Sequence, residues 1–200
     1  MTESKAPGIH APDITAPGIT KPDLSHPVGL SALADAIVAH HHRYARQHGP
    51  VIYAQLHDLA RLSGQRDLRL KTLLGVFEHL HSETVLHMHQ EEKQLFPFCH
   101  RLEQPDALRE LLHSLPPNPL QQMSQEHRHT EEQLELIRRL TDDFMPPDWA
   151  DAGHRRVYEL LQEYCSDLQQ HQSLEDDFLF PAVRRRIAEL AAAAEAARTD

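Results

Sequence analysis

Cysteine, long apolar runs and an excess of positive charge are what this sequence lacks. Its two cysteines in 200 residues exclude a disulfide scaffold and a metal cluster held by thiolates alone. The formal net charge of −10 argues against duplex nucleic acid as a partner, because little would offset the repulsion of the phosphates. No apolar stretch approaches the ~20 residues of a membrane-spanning helix, and the first residues lack the apolar core of a signal peptide. The sequence therefore predicts a cytoplasmic protein with no membrane or nucleic-acid partner.

Alternation of β-branched residues is also nearly absent, which argues against a β-sheet. Hydrophobic residues make up 40% and charged residues 25% of the chain, as in an ordinary globular domain. Residues 1–27 contain a near-repeat, APGIHAPDIT followed by APGITKPDLS, with proline every few positions. We interpret them as a flexible, disordered Pro/Ala-rich tail, because such a segment cannot hold a helix and has little apolar surface to pack. Residues 28–197 are predicted to form the folded domain.

Four long stretches with helical periodicity fill that domain. They cover residues 30–62, 67–103, 120–144 and 148–197, and a connector with one possible short helix joins the second to the third. Ser63-Gly64 and Pro146-Pro147 provide stop signals between neighbouring stretches. Pro50 lies inside the first stretch and is expected to kink the helix unless a break falls there. The pattern predicts an all-α, up-down four-helix bundle.

Histidine, in contrast, is abundant, with 17 copies. The second stretch contains the pattern H-x3-E-x3-L-F-P beginning at His87, and the fourth contains the same pattern beginning at His171. His42 and His127 take matching places in the first and third stretches. The chain therefore consists of two similar helical hairpins in tandem, each with one histidine on its first helix and a His–Glu pair on its second.

The repeated residues are predicted to face one point in the core. A histidine and a glutamate four positions later lie about 40° apart on a helix, and apolar residues flank each of the four histidines on the same face. Each interhelical turn lies about halfway between the histidines of its hairpin, so the two hairpins present these groups at one level. The converging set is His42, His87, Glu91, His127, His171 and Glu175.

A metal pair is the interpretation that we favour for this set. A lone core histidine is more often a packing residue, but burying six polar groups together costs several kcal/mol each unless something compensates them. Imidazole and carboxylate ligands without a thiolate suit iron, manganese or zinc, and we favour iron. Because two carboxylates are able to bridge two ions, the residues describe a dinuclear site.

Other polar residues near the motifs have less certain roles. Glu131 lies about 40° from His127 on the helix and is a candidate additional ligand or outer-shell base. Six histidines point about 80° or more away from the ligand face and are predicted to lie on the surface. They are His40, His41, His79, His81, His89 and His129.

These motifs resemble those of the hemerythrin-like, or HHE cation-binding, domain, and among its branches the di-iron repair of iron centres proteins are the most similar. The similarity covers roughly residues 30–185 and is carried by HHRYAR at 41–46, HMHQEEKQLFP at 87–97, MSQEH at 123–127 and H-x2-L-E-x3-L-F-P at 171–181. It implies a hemerythrin-like bundle with two iron ions that are joined by an oxo or hydroxo bridge and held by the six residues above. It further implies that Glu91 and Glu175 bridge the two ions.

The resemblance also implies a range of functions. The chain would react with nitric oxide or oxygen species, or donate iron for iron–sulfur cluster repair under oxidative or nitrosative stress. Its partners would be small molecules (O2, NO or peroxide) and apo iron–sulfur proteins. The alternative is an oxygen or redox sensor, or an oxygen- or iron-binding protein without turnover.

Two carboxylates agree with that resemblance, whereas a third carboxylate and a missing motif depart from it. Glu83 and Glu126 match carboxylates that family members place near the route to the metals, and are otherwise expected on solvated helix faces. Oxygen-carrying hemerythrins have a histidine where this chain has Glu131, which weakens the oxygen-carrier interpretation. Repair proteins of this kind often carry a small N-terminal domain with a Cys-Cys pair, where this sequence has the Pro-rich tail.

Overall fold

The computed structural model describes residues 29–104 and 119–199, with the side chains of 119 and 197–199 excepted. The described residues form four long helices and no strand, which confirms the predicted all-α bundle. The predicted tail and most of the connector between the second and third helices lie outside the described residues. None of the helices in the described ranges combines the length and apolar character that a membrane crossing requires.

Three of the four helices consist of α-helical segments joined by one π-helical turn. Helix α1 runs through Leu30–Ile37, Val38–His42 and Arg43–Ser63; α2 through Arg69–Gln90, Glu91–Leu95 and Phe96–Leu102; α3 is Pro119–Leu140; and α4 runs through Ala152–Leu174, Glu175–Leu179 and Phe180–Thr199. Helix α1 packs against α2 and α4, and α2 also packs against α3.

Two apolar clusters fill the bundle, one on each side of its middle. The first contains the second half of α1 and the first half of α2, including Leu56 and Phe77, together with Val157 from α4. The second contains the start of α1 and the ends of α2 and α4, including Leu33 and Phe180. Along each helix, the predicted ligands lie at the boundary between the two clusters. The bundle therefore holds a polar layer between two apolar layers.

Helix α1 does not break at its proline. The α-helical segment Arg43–Ser63 continues through Pro50, whose side chain lies on the exposed face of the helix. On that face, water can hydrogen-bond to the carbonyl group that loses its N–H partner. The helix therefore reaches Ser63, as the periodicity of the first stretch predicts.

Helix α3 ends at Leu140, before the predicted end at residue 144. Thr141 Oγ1 donates a hydrogen bond to the carbonyl oxygen of Ile137 at 2.9 Å, and the next three residues have left-handed backbone angles, with φ of 50° to 61°. Aspartate tolerates this conformation better than most residues, and Asp142 is held by Arg69 from the start of α2 at 2.7 Å. A left-handed turn therefore replaces the last predicted turn of the helix. Helix α4 likewise begins later than predicted, because Asp151 caps it by accepting a hydrogen bond from the backbone N–H of His154 at 2.8 Å.

The close approach of α1 and α2 generates a prediction about two glycines. A Cβ atom on Gly49 would lie 2.1 Å from the ring of His81, whereas a Cβ on Gly75, also inside a helix, would meet nothing within 4 Å. We expect Gly49→Ala to lower the free energy of unfolding by about 1–3 kcal/mol through overpacking. Gly75→Ala should raise it by about 0.5–1 kcal/mol, since alanine loses less backbone entropy in a helix.

Chemical denaturation of the metal-free protein measures both changes. Equal effects of the two substitutions would contradict the close approach at Gly49.

Candidate metal centre

The structure brings the six predicted ligands together in the polar layer of the bundle. Each of the four helices contributes one histidine, and α2 and α4 each add one glutamate. Five of the side chains are at most 3% exposed, and His87 is 12% exposed. The six residues are His42, His87, Glu91, His127, His171 and Glu175.

Their ligand atoms form two groups of four that share both glutamates. One group contains His42 and His171 with the two glutamates, and the other contains His87 and His127 with the same glutamates. Within each group the ligand atoms lie within 4.8 Å of one another. The two histidine Nε2 atoms are 3.3 Å apart in the first group and 3.1 Å apart in the second.

Each shared carboxylate directs one oxygen to each group. Glu91 Oε1 lies 3.0 Å from His87 Nε2, whereas its Oε2 lies 3.4 Å from His42 Nε2. Glu175 Oε2 lies 3.2 Å from His127 Nε2, whereas its Oε1 lies 3.1 Å from His171 Nε2. This arrangement suits two ions, one in each histidine pair, with both carboxylates reaching from one to the other.

The buried carboxylates lack the partners that such groups require in a protein core. Glu91 and Glu175 are fully buried, and none of their four oxygens has a hydrogen bond with good geometry in the described part of the chain, although imidazole nitrogens lie close. Buried charges are normally paired and hydrogen-bonded or coordinate metals. Neighbouring ligand atoms about 3 Å apart also fit metal–ligand bonds of about 2.1 Å. The residues therefore fit a pair of metal ions.

The charges in the site shift the proton affinities of its members. Burial alone would lower the pKa of His87, but the negative charge of Glu91 and the contact with it raise that pKa to about 10. Burial alone would raise the pKa of Glu175, but the positive charge of His171 and the contact of His127 hold it well below its usual range. Metal ions would therefore compete with protons for these histidines.

Comparison with known proteins agrees with this geometry. The family model of the hemerythrin HHE cation binding domain matches residues 118–200. The second hairpin of the chain is therefore similar to this domain. The match covers α3 and α4, which carry His127, His171 and Glu175, and the first hairpin repeats the same pattern.

Several curated proteins with similar sequences are named iron-sulfur cluster repair protein YtfE. The chain is 28% identical to the protein from Yersinia pseudotuberculosis serotype IB (strain PB1/+) over 156 residues, which are 78% of this chain and 66% of the relative. It is 29% identical to the protein from Enterobacter sp. (strain 638) over 77% of this chain and 66% of the relative. It is 29% identical to the protein from Escherichia coli O81 (strain ED1a) over 76% of this chain and 65% of the relative. The chain thus spans slightly less than two thirds of the length of these relatives.

Three helices of the bundle form their π-helical turns at the predicted ligands. The turn Val38–His42 ends at a predicted ligand, and the turns Glu91–Leu95 and Glu175–Leu179 each begin at one. Single π turns inside α-helices are frequently found at functional sites, where they change the direction of side chains. The sequence periodicity did not predict these turns.

The repeated L-F-P sequence follows from the geometry of these turns. The backbone N–H of Phe96 bonds to the carbonyl of Glu91, five residues earlier, and Phe180 bonds to Glu175 in the same way. Pro97, at the start of the next α-helical segment, has no N–H to donate, which is tolerated at the first turn of a helix. The proline in each repeat thus marks the end of a π turn.

Carboxylates contact Nδ1, the ring nitrogen that faces away from the centre, in three of the predicted ligand histidines. These are His42, His127 and His87. The Nδ1 atom of His42 lies 2.7 Å from Glu92 Oε1, and the Nδ1 atom of His127 lies 2.9 Å from Asp176 Oδ2. A carboxylate on the second ring nitrogen fixes the orientation of a ligand histidine and makes it a better donor. The sequence analysis missed both acids, although each directly follows the glutamate of its H-x3-E motif.

The three glutamates predicted outside the ligand set take different positions. Glu126 contacts the ligand histidine of α2, with its Oε2 atom 2.6 Å from His87 Nδ1. Glu83 does not reach the buried set and instead accepts a hydrogen bond from Gln133 Nε2 at 2.6 Å. Glu131 is exposed at the surface, so the structure does not bring it to the buried set.

Two of the histidines predicted to be on the surface are not there. His41 is 2% exposed, stacks on His171 with ring centroids 5.7 Å apart, and contacts Asp167 Oδ1 through Nδ1 at 3.0 Å. His81 is half-buried, with Nδ1 2.9 Å from the hydroxyl oxygen of Tyr164. The prediction for His41 was wrong because the π turn that ends at His42 departs from the α-helical spacing on which it depended. The other four, His40, His79, His89 and His129, are exposed.

A surface cleft between α2 and α3 leads to the most exposed ligand. Its volume is about 310 Å³, and its lining includes Glu83, His87, Glu126 and His129. This cleft connects solvent with one histidine pair of the buried set.

The contacts to the histidine Nδ1 atoms predict the effect of a neutral substitution. We expect Asp176→Asn to weaken metal binding by about 10–100-fold, because the amide no longer supplies a negative charge to His127. Asp177→Asn is the matched control: it removes the same charge from the exposed neighbouring residue and should leave the affinity unchanged.

Competition with a chelator of known affinity gives both dissociation constants. Equal weakening in the two variants would mean that net charge, and not the contact to His127, controls binding.

Proposed function

We propose that this chain binds two iron ions in its buried centre, one in each histidine pair, with Glu91 and Glu175 bridging them. The proposal is carried by the two carboxylates, each of which directs one oxygen to each pair. The donor set contains imidazole and carboxylate only, which suits iron, manganese or zinc. The similarity to the hemerythrin HHE cation binding domain and to relatives named for iron-sulfur cluster repair supports the choice of iron.

Bound iron would supply redox chemistry and binding of small molecules such as O2, NO or peroxide, and the chain would control access to it. The apolar clusters on both sides of the polar layer exclude water. Glu92, Asp176 and Glu126 orient three of the histidines through Nδ1. The cleft at His87 provides an approach from solvent.

We further propose that the chain acts in iron–sulfur cluster repair under oxidative or nitrosative stress, by reacting with nitric oxide or oxygen species or by donating iron. The names of the relatives support repair. Donation requires iron that can leave, and His87, with its partner Glu126, provides the more accessible side of the centre. The corresponding partners would be apo iron–sulfur proteins, and the predicted location is the cytoplasm.

A sensor or binding protein without turnover is the second candidate. It is favoured by the burial of five of the six ligands, which are at most 3% exposed and would retain metal tightly. The two candidates differ in whether iron leaves the centre or stays bound while small molecules come and go.

Loss of a shared carboxylate tests the dinuclear centre. Because Glu175 faces both histidine pairs, we expect Glu175→Ala to abolish the optical spectrum of the bridged pair and to lower the melting temperature of the metal-loaded protein. His89→Ala changes an exposed histidine two residues from His87 and should keep close to two irons per chain.

Metal analysis and melting after anaerobic purification provide the measurements. One metal ion per chain in the unmodified protein, or zinc alone after iron-replete expression, would contradict a di-iron centre.

Repair is tested by mixing the iron-loaded chain with an apo iron–sulfur enzyme, sulfide and a thiol. We expect enzyme activity to recover above a control with the same amount of free iron, because the bundle presents iron from a defined centre. If activity stays at the control level while the iron spectrum still responds reversibly to nitric oxide or oxygen, repair is wrong and the sensor function replaces it.

A further inference from the structure

A second cluster of metal-ligating side chains lies on the surface of the bundle. His79 and Glu83 lie one turn apart on α2, and His129 faces them from α3. Glu83 Oε1 is 3.3 Å from His79 Nε2, and Glu83 Oε2 is 3.5 Å from His129 Nε2. One ligand atom from each residue lies within 4.8 Å of the other two.

The carboxylate of this surface cluster is held by a buried residue. Gln133, which is 7% exposed, donates a hydrogen bond from Nε2 to Glu83 Oε2 at 2.6 Å. An unsupported glutamate on a helix surface would sample several rotamers, whereas this one is held between two histidines. The carboxylate at the centre of the cluster is therefore held in place.

The orientation of His129 repeats the arrangement of the buried histidines. Its Nε2 faces the shared carboxylate, and its Nδ1 lies 3.6 Å from Glu132 Oε2. In the buried centre, His42 and His127 likewise direct Nε2 inward and Nδ1 towards a carboxylate. The surface cluster thus offers two imidazole ligands, and a carboxylate lies near the outward ring nitrogen of one of them, His129.

We propose that His79, Glu83 and His129 form a binding site for one divalent transition-metal ion, separate from the buried pair. Two imidazoles and one carboxylate suit ions such as Fe²⁺, Co²⁺ and Zn²⁺ better than Mg²⁺ or Ca²⁺, which prefer oxygen ligands. The three side chains are 43% to 61% exposed, so water fills the remaining coordination positions. Binding at this site is weaker and more readily reversed than binding at the buried centre.

The location of the site connects it with the approach to the buried centre. Glu83 and His129 line the same cleft as His87, and Glu83 lies one helical turn before His87. An ion held by the surface cluster would thus lie beside the opening that leads to the more accessible histidine pair. This site goes beyond the proposed di-iron function, and its existence does not depend on whether the chain repairs clusters.

Cobalt(II) provides the probe, because its visible absorption reports imidazole and carboxylate coordination. The chain is first loaded with iron and its iron content is measured, and it is then titrated with Co²⁺ under anaerobic conditions. We expect the iron-loaded chain to bind one further Co²⁺, and His79→Gln and His129→Gln to weaken that step by about 10–100-fold or more, since even an outer-shell loss has such an effect.

His89→Gln is the control, because it removes another exposed histidine from α2 without changing the cluster. Its Co²⁺ titration should match that of the unmodified chain. Failure of the unmodified chain to bind a further Co²⁺, or equal binding in all three variants, would overturn the proposal. An iron content far below two per chain would count against the buried di-iron centre alone, because a Co²⁺ step that His129→Gln removes would still identify the surface site.

Discussion

Two buried carboxylates at the centre of the bundle are the constraint on which this structure depends, because no hydrogen bond from the residues that the structure describes satisfies them. Glu91 and Glu175 lie in a polar layer with four imidazoles, and apolar clusters close that layer on both sides. Charged groups in such surroundings cost far more than an ordinary core contact unless a metal or a matched charge compensates them. Metal binding by these six side chains would therefore be coupled to the folding of the bundle.

The repeat in the sequence explains how one centre takes ligands from four helices. Each hairpin contributes a histidine from its first helix and an H-x3-E pair from its second, and the acid that follows the glutamate holds the histidine of its own hairpin. His42 and His127 are thus oriented from within their own hairpins, whereas Glu126 reaches His87 across hairpins and each glutamate faces histidines of both hairpins. The packing of one hairpin against the other completes the centre.

Helical periodicity and the duplicated motif were sufficient to predict the bundle and the convergence of the six residues, because both depend on regular α-helical spacing. The features that departed from that spacing were missed. The π turns at the ligands changed which neighbours face inward, so His41 is buried beside His42. The early end of α3 depended on Arg69, distant in sequence, which holds Asp142 in a left-handed turn. Neither can be read from a local pattern.

The two halves of the centre are not equivalent, and the difference comes from one pair of matching positions. Glu126 precedes His127 and contacts His87 of the opposite hairpin, whereas His41 precedes His42 and stacks on His171 of the opposite hairpin. One histidine pair therefore has a half-exposed carboxylate and a cleft beside it, and the other has a buried imidazole over it. The two hairpins therefore supply the same residues to the centre but different residues around it. We consequently expect small molecules, and any bound metal, to exchange on the His87 side, because a buried imidazole covers the His171 side.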